Sequence, residues 1–213
     1  DSRELFSGMK IESDPAFADY INRFDVIFLN MQHFLIRAKK QDFTEYLEQA
    51  VLGDIRKEYG DFFSDQETIL AAALEQIYAD TGKKFIFLID EWDCVMRERQ
   101  EEECLQKQYL DFLRDLLKDQ PYVALAYVTG ILPVKKYGQH SALNMFWEYS
   151  MTDQSIFEEY TGFTEGEVKE LCRQYDMDFA ETGSWYDGYQ FRRFKHVYNP
   201  RSVVAAMKSR YFS

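Results

Sequence analysis

The stretch Lys84-Phe85-Ile86-Phe87-Leu88-Ile89-Asp90-Glu91 decides the fold, because an uninterrupted apolar run ends abruptly at two carboxylates. Short continuous apolar runs are typical of strands in a parallel sheet. In open α/β sheets, ligands bind outside the carboxyl ends of the strands. A strand that is buried up to Ile89 would therefore deliver Asp90 directly to a binding site.

Two further apolar runs resemble this one. The segments 25–30 and 122–129 are rich in residues that favour strands, and the second is followed by Gly130. Between the strands, apolar residues recur at spacings of three and four over 43–59 and again from Leu105 to Leu117, which predicts amphipathic helices. Strands that alternate with helices predict an α/β protein with a parallel sheet, right-handed crossovers and helices on both faces.

Two segments match the capping box, in which a Ser or Thr hydroxyl and a Glu carboxylate satisfy free backbone donors at a helix start. Ser64-Asp65-Gln66-Glu67 predicts a helix that runs to about Ala79 and stops at Gly82. Thr164-Glu165-Gly166-Glu167 predicts a helix that continues to about Tyr175. A last helix is expected from Pro200, because proline is favourable in a first helical turn.

The pattern changes after Ser150 to short helices and aromatic-rich loops. We therefore predict two parts, an α/β core over residues 1–150, which the resemblance given below implies to be a partial P-loop NTPase-like core, and a small lid over residues 151–213 that is helical rather than built on a sheet. The sequence contains 213 residues, of which 46% are hydrophobic and 17% aromatic, as expected of a packed globular protein.

The bulk charge narrows the possible partners. A formal charge of −12 argues against broad electrostatic attraction to nucleic acid. The apolar runs are shorter than the roughly 20 residues that a membrane span requires, so no membrane partner is expected. Cys94, Cys104 and Cys172 are widely spaced and odd in number, which favours reduced thiols and a cytoplasmic location.

The end of the strand Phe85–Ile89 carries the chemistry. An apolar strand followed by Asp-Glu is the second signature of P-loop ATPases, in which the first acid holds Mg²⁺ and the second polarises the attacking water. The alternative is a strand that simply enters an acidic helix start, with Asp93 as a first-turn acid. Thr129, at the end of the next strand, would lie level with Asp90 as a sensor of the γ-phosphate. Its alternative is an ordinary β-branched strand terminator.

Six segments in one order resemble the bacterial AAA-ATPase-like family over nearly the whole chain. They are Phe85-Ile86-Phe87-Leu88-Ile89-Asp90-Glu91-Trp92-Asp93, Tyr127-Val128-Thr129-Gly130-Ile131, Ser141-Ala142-Leu143-Asn144, Gly162-Phe163-Thr164-Glu165-Gly166-Glu167-Val168, Trp185-Tyr186-Asp187-Gly188-Tyr189-Gln190-Phe191 and Tyr198-Asn199-Pro200-Arg201-Ser202-Val203. The resemblance implies a P-loop NTPase core that binds and hydrolyses ATP with Mg²⁺. It implies that Asp90 binds the cofactor and the metal, that Glu91 activates water and that Thr129 is the sensor. In the fifth segment, Asp187 and Gly188 are interpreted as a turn between packed aromatic residues.

The sequence departs from the family at the phosphate-binding loop, whose Gly-rich turn ends in Gly-Lys-Ser or Gly-Lys-Thr. The only Gly-Lys pair is Gly82-Lys83, which we interpret as a helix end. The missing loop is expected upstream of residue 1. Members of the family often continue into a nuclease-like domain of the PD-(D/E)xK type, so a nucleic-acid partner is expected only through such a domain. This chain alone is expected to bind ATP weakly.

Two other functions stay open. The first is a non-catalytic module on a degenerate ATPase fold, whose acidic surface binds another protein. The second is a metal-dependent hydrolase that uses Asp90, Glu91 and Asp93. The sequence favours the second less, because His33, His140 and His196 form no ligand spacing with these acids.

Overall fold

A computed structural model describes residues 2–39, 41–134, 143–150, 155–158 and 160–212. The chain divides into two compact units, residues 1–146 and residues 147–213. The boundary predicted from the sequence, between residues 150 and 151, lies close to this division. In the part of the chain that the structure describes, no helix is both long enough and apolar enough to cross a membrane.

The first unit is built on a parallel sheet whose strand order follows the sequence. Its strands are β1 (Asp25–Asn30), β2 (Phe85–Asp90) and β3 (Val123–Val128), in the order β1-β2-β3. The predicted α/β class and all three predicted strands are confirmed. Asn30 pairs with Asp90 in the register, so β1 and β2 end at the same level.

Helices precede β1 and connect the three strands. They are α1 (Phe17–Tyr20), α2 (Met31–Ala38), α3 (Phe43–Tyr59), α4 (Leu70–Thr81), α5 (Cys94–Glu98) and α6 (Glu103–Leu117), with short 3-10 helices at Arg3–Phe6, Lys10–Ser13 and Gly60–Phe62. The amphipathic helices predicted from periodicity are confirmed as α3 and α6. Their buried stripes pack in one core with Leu29, Phe87 and Ile89 of the sheet.

Among the residues that the structure describes, one face of the sheet is covered and the other is open, whereas the sequence predicted helices on both faces. The open face consists of two rows across the strands, Val26-Ile86-Leu125 and Phe28-Leu88-Tyr127. The members from β1 and β3 are between 53% and 60% exposed. With strands in the order β1-β2-β3, both right-handed crossovers place their helices on the same face. We call these two rows the open sheet face.

The start of α4 differs from its prediction. Ser64–Glu67 forms a local turn, in which the Glu67 carboxylate accepts the N–H groups of the next two residues. The helix begins at Leu70, whose N–H is accepted by Glu48 of α3 at 3.0 Å. The predicted stop is confirmed, because Gly82 ends α4 in the left-handed region with φ of 69°.

The second unit contains helices together with a small sheet that the sequence did not predict. Its elements are a 3-10 helix (Ser155–Phe157), β4 (Phe163–Thr164), α7 (Glu165–Tyr175), α8 (Phe179–Tyr186), β5 (Asp187–Tyr189), β6 (Val197–Tyr198) and α9 (Pro200–Ser209). The sheet is antiparallel in the order β4-β6-β5. The capping box of Thr164 and Glu167 is confirmed, as is the helix that starts at Pro200. The turn predicted at Asp187-Gly188 is instead part of β5.

An ion pair in the second unit makes its stability depend on pH. His196 Nδ1 lies 2.5 Å from Asp187 Oδ2, and this hydrogen bond raises the pKa of His196 above its ordinary value of about 6.5. The stabilisation is therefore fully present below that ordinary value and is lost as the pH rises through the pKa of the folded state. We expect an NMR titration of the His196 ring to show the raised pKa and Asp187→Asn to remove most of the increase.

The control for this titration is Glu165→Gln, because Glu165 contributes a smaller attraction to His196. It should lower the pKa of His196 less than Asp187→Asn does. An unchanged pKa of His196 in Asp187→Asn would contradict the assigned contact.

Candidate functional site

Asp90 lies at the carboxyl end of the central strand, between polar side chains from both neighbouring strands. Thr129 Oγ1 donates to Asp90 Oδ1 at 2.6 Å, and Asn30 Nδ2 donates to Asp90 Oδ2 at 3.3 Å. Each carboxylate oxygen therefore has one protein donor and keeps lone-pair capacity for another ligand. Thr129 has a single hydroxyl proton, so in this arrangement it orients Asp90.

Asn30 is a site residue that the sequence reasoning missed. Its Oδ1 atom accepts the N–H of His33 at 2.9 Å and so caps α2, while its Nδ2 atom faces Asp90. The two contacts fix which end of the amide points to the carboxylate. The available signal was its position, because Asn30 ends β1 as Asp90 ends β2.

Glu91 follows Asp90 in a tight turn away from the strand. Its φ of 56° lies in the left-handed region, which is uncommon for a residue other than glycine, and Cys94 N–H donates to its carbonyl at 3.0 Å. The carboxylate is partly exposed, and Glu91 Oε2 accepts from Arg97 Nη2 of α5. The structure thus places Glu91 beside Asp90 in sequence but in an ion pair with Arg97.

Asp93 has a structural role that the sequence did not reveal. Its side chain is fully buried, and Oδ2 accepts the N–H groups of Ile131 and Leu132 at 3.0 and 2.7 Å. Arg97 Nε lies 3.2 Å from the same oxygen. Asp93 is the N-cap residue of α5, directly before its first turn, and makes no side-chain capping bond there. Asp93 instead fastens the segment after β3.

Close packing holds the ends of β2 and β3 together. Thr129 N–H donates to the carbonyl of Ile89 at 2.8 Å, and Trp92 N–H donates to the carbonyl of Thr129 at 3.1 Å. Gly130 lies so close to the indole that a Cβ atom there would be 2.5 Å from Trp92 Cδ1. The buried Tyr109 hydroxyl donates to the carbonyl of Trp92 at 2.7 Å. These contacts fix Thr129 relative to Asp90.

Two buried titratable groups near the turn stay neutral. Burial raises the pKa of the Cys94 thiol to about 12, and burial also raises the pKa of Tyr109 well above its ordinary value. Neither group therefore adds negative charge beside the carboxylates at neutral pH.

The oxygen ligands at the end of the sheet suit a hydrated Mg²⁺ ion. Proteins usually bind Mg²⁺ through one or two carboxylates and leave the other positions to water and phosphate oxygens. Asp90 offers such a carboxylate, and Thr129 holds it in place. Among the residues with described positions, no group of three or more His, Cys, Asp and Glu side chains is arranged around a common metal position. Asp93, which the hydrolase alternative uses together with Asp90 and Glu91, instead accepts the N–H groups of Ile131 and Leu132.

The parallel sheet, with a carboxylate at the end of its central strand, defines an α/β protein with a P-loop-like core. The chain belongs to the AAA-ATPase-like family, described as "Predicted AAA-ATPase", whose profile matches residues 1–139. It is also similar to an uncharacterized protein in the vnfD 5′ region of Azotobacter chroococcum mcd 1, with 26% identity over 145 residues. That match covers 65% of this chain and 28% of the relative. No solved structure matches the chain.

Proposed function

We propose that this chain supplies the metal-binding and water-activating part of a site that binds and hydrolyses ATP. The observation that carries the proposal is the Asp90 carboxylate, held at the end of the central strand by Thr129 at 2.6 Å. Membership of the family supports a nucleotide as the partner. Sheet topology supports the position, because ligands of open α/β sheets bind at this edge.

Each residue has a distinct proposed role. Asp90 would accept hydrogen bonds from the water ligands of Mg²⁺, and Asn30 and Thr129 would keep its oxygens oriented. Glu91 would polarise the attacking water once its carboxylate faces the site. When bound, Mg²⁺ would neutralise charge on the phosphate oxygens. Thr129 would contact the γ-phosphate only after its hydroxyl proton turns away from Asp90.

The experiment compares this 213-residue chain with the natural protein in its full length. We expect the chain alone to hydrolyse little ATP, because its sequence contains no Gly-rich loop to hold the phosphates. The full-length protein should hydrolyse ATP with dependence on Mg²⁺, and Glu91→Gln should lower kcat by about 10² or more, a typical contribution of a general base.

The matched control is Glu98→Gln, since Glu98 lies in α5, and its carboxylate contacts Gln32 rather than the end of the sheet. It should leave hydrolysis close to the wild-type rate. Rapid Mg²⁺-dependent hydrolysis by the chain alone, lost in Glu91→Gln, would refute the expectation for the chain.

The second candidate is a non-catalytic interaction module on the same fold. The open sheet face favours it, because exposed apolar surface of this kind is typical of protein contacts. Calorimetry of the full-length protein with MgATP separates the two functions: binding supports the ATPase, and no binding supports the interaction module. The lid role of residues 151–213 stays a prediction.

A further inference from the structure

One guanidinium group joins the two acidic residues that follow Asp90. Arg97 contacts the Glu91 carboxylate through Nη2 and lies 3.2 Å from Asp93 Oδ2 through Nε. We propose that Arg97 is a positioning residue that holds Glu91 in a resting conformation, and that release of this contact lets Glu91 activate water. The inference rests on the proposed function, because it concerns the regulation of the same site.

Arg97 is anchored on the side of Asp93. The Asp93 side chain is fully buried, and a buried carboxylate without its cation strongly destabilises the folded state. Asp93 also accepts the N–H groups of Ile131 and Leu132, so it is fixed to the segment that follows β3. The guanidinium therefore keeps its position relative to Thr129 and the end of the sheet.

Of the two carboxylates that contact Arg97, that of Glu91 can move. Its side chain is 32% exposed, whereas that of Asp93 is 0% exposed. The bonds between Glu91 and its neighbours in the turn use its backbone carbonyl, so a change of side-chain rotamer leaves the turn intact. When Glu91 separates from Arg97, its partly exposed carboxylate can be solvated, and the guanidinium still has Asp93 as a partner.

In the paired conformation, Arg97 rather than a water molecule sets the orientation of the Glu91 carboxylate. The Oε2 atom of Glu91 accepts from the guanidinium of α5, so this oxygen is directed at the arginine. A general base must lie within hydrogen-bonding reach of the proton that it removes. Exchange between an Arg97-bound and a free Glu91 would therefore set how often the site is competent.

Arg97→Lys separates the two contacts with little structural change. A lysine ammonium is a compact charge and cannot match the two-sided contact of a guanidinium fork. We expect it to stay with the buried Asp93 and to release Glu91. Arg99→Lys is the matched control, because Arg99 pairs only with the exposed carboxylate of Glu102 among the described contacts, at 3.1 Å.

The first measurement needs no nucleotide. In this chain, Trp147→Phe and Trp185→Phe leave Trp92 as the single indole, which reports on the first unit. In urea, Glu91→Gln should raise the unfolding equilibrium constant about two- to fivefold, as for a partly exposed ion pair. In the Arg97→Lys background, the same substitution should change it little. Equal effects of Glu91→Gln in both backgrounds would overturn the pairing and, with it, the inference.

The second measurement is ATP hydrolysis by the full-length protein. Arg97→Lys should raise kcat severalfold with little change in KM, Arg99→Lys should match the wild type, and the double variant Glu91→Gln, Arg97→Lys should be inactive. A kcat of Arg97→Lys at or below the wild-type value, with Glu91→Gln inactive, overturns the resting role alone. Wild-type protein that shows no hydrolysis overturns the proposed function and the resting role together, whatever the unfolding data show for the ion pair.

Discussion

Gly130→Ala is expected to lower the free energy of unfolding of the first unit by about 2 kcal/mol, within the range of overpacking in a close-packed core. The added methyl group would lie 2.5 Å from Trp92 Cδ1 and 2.8 Å from Asp93 Oδ1. Both side chains are almost completely buried, so neither can turn aside into solvent. Urea unfolding followed by the emission of Trp92 as the single indole measures the loss.

Gly53→Ala is the matched control, because Gly53 is exposed inside α3 and a Cβ atom there would meet nothing within 4 Å. It should raise the stability of the same unit by about 0.5–1 kcal/mol, since alanine is the better helix former. If Gly130→Ala were as stable as the wild type, the close approach of Gly130 to the indole would be wrong.

Asp93→Ala is expected to have the largest effect, a loss of about 3–5 kcal/mol in the free energy of unfolding. The substitution removes the acceptor of two backbone N–H groups and the buried one of the two carboxylates that contact Arg97. Asp93→Asn should cost less, because its amide oxygen can still accept an N–H although the negative charge is gone. The same single-indole urea unfolding measures both variants.

An exposed aspartate provides the comparison for Asp93. Asp54 is 78% exposed and pairs with Lys57 on the surface of α3, so Asp54→Ala should change the stability by no more than about 0.5 kcal/mol. Similar losses in Asp54→Ala and Asp93→Ala would contradict the structural role of Asp93.

The strands and the long helices of the first unit could be predicted because their signals are local. An apolar run and a 3.6-residue period are properties of adjacent residues, and they correctly located β2, α3 and α6. Which face of a sheet is covered depends on the order of the strands, because successive right-handed crossovers that proceed in the same direction place their helices on the same face. The apolar runs of β1 and β3 therefore could not reveal that one of their faces is open.

Helix capping shows the same limit. Ser64 and Glu67 have the spacing of a capping box, but spacing does not determine which N–H groups the carboxylate accepts. The donor at the start of α4 is satisfied by Glu48, which lies 22 residues earlier in the sequence. The second box was predicted correctly because Thr164 and Glu167 satisfy each other within one turn.

The site was only partly visible in the sequence for a similar reason. Asp90, Glu91 and Thr129 follow strands, so strand ends alone identified them as candidates. The contact of Asn30 with Asp90 spans 60 residues, and only the parallel register brings it about. Arg97 is near Glu91 in sequence, and it contacts Glu91 across a turn in which Glu91 has a left-handed backbone conformation. No sequence pattern predicted this conformation.

The side-chain amide of Asn30 gives the site a donor and α2 an acceptor from the same group. Asn30→Asp turns this amide into a carboxylate of nearly the same shape, which still accepts the N–H of His33 and caps α2. The same change replaces the donor that faces Asp90 Oδ2 with a second negative charge. A single isosteric exchange therefore separates the two tasks, because helix content is kept while Asp90 loses the environment that orients it.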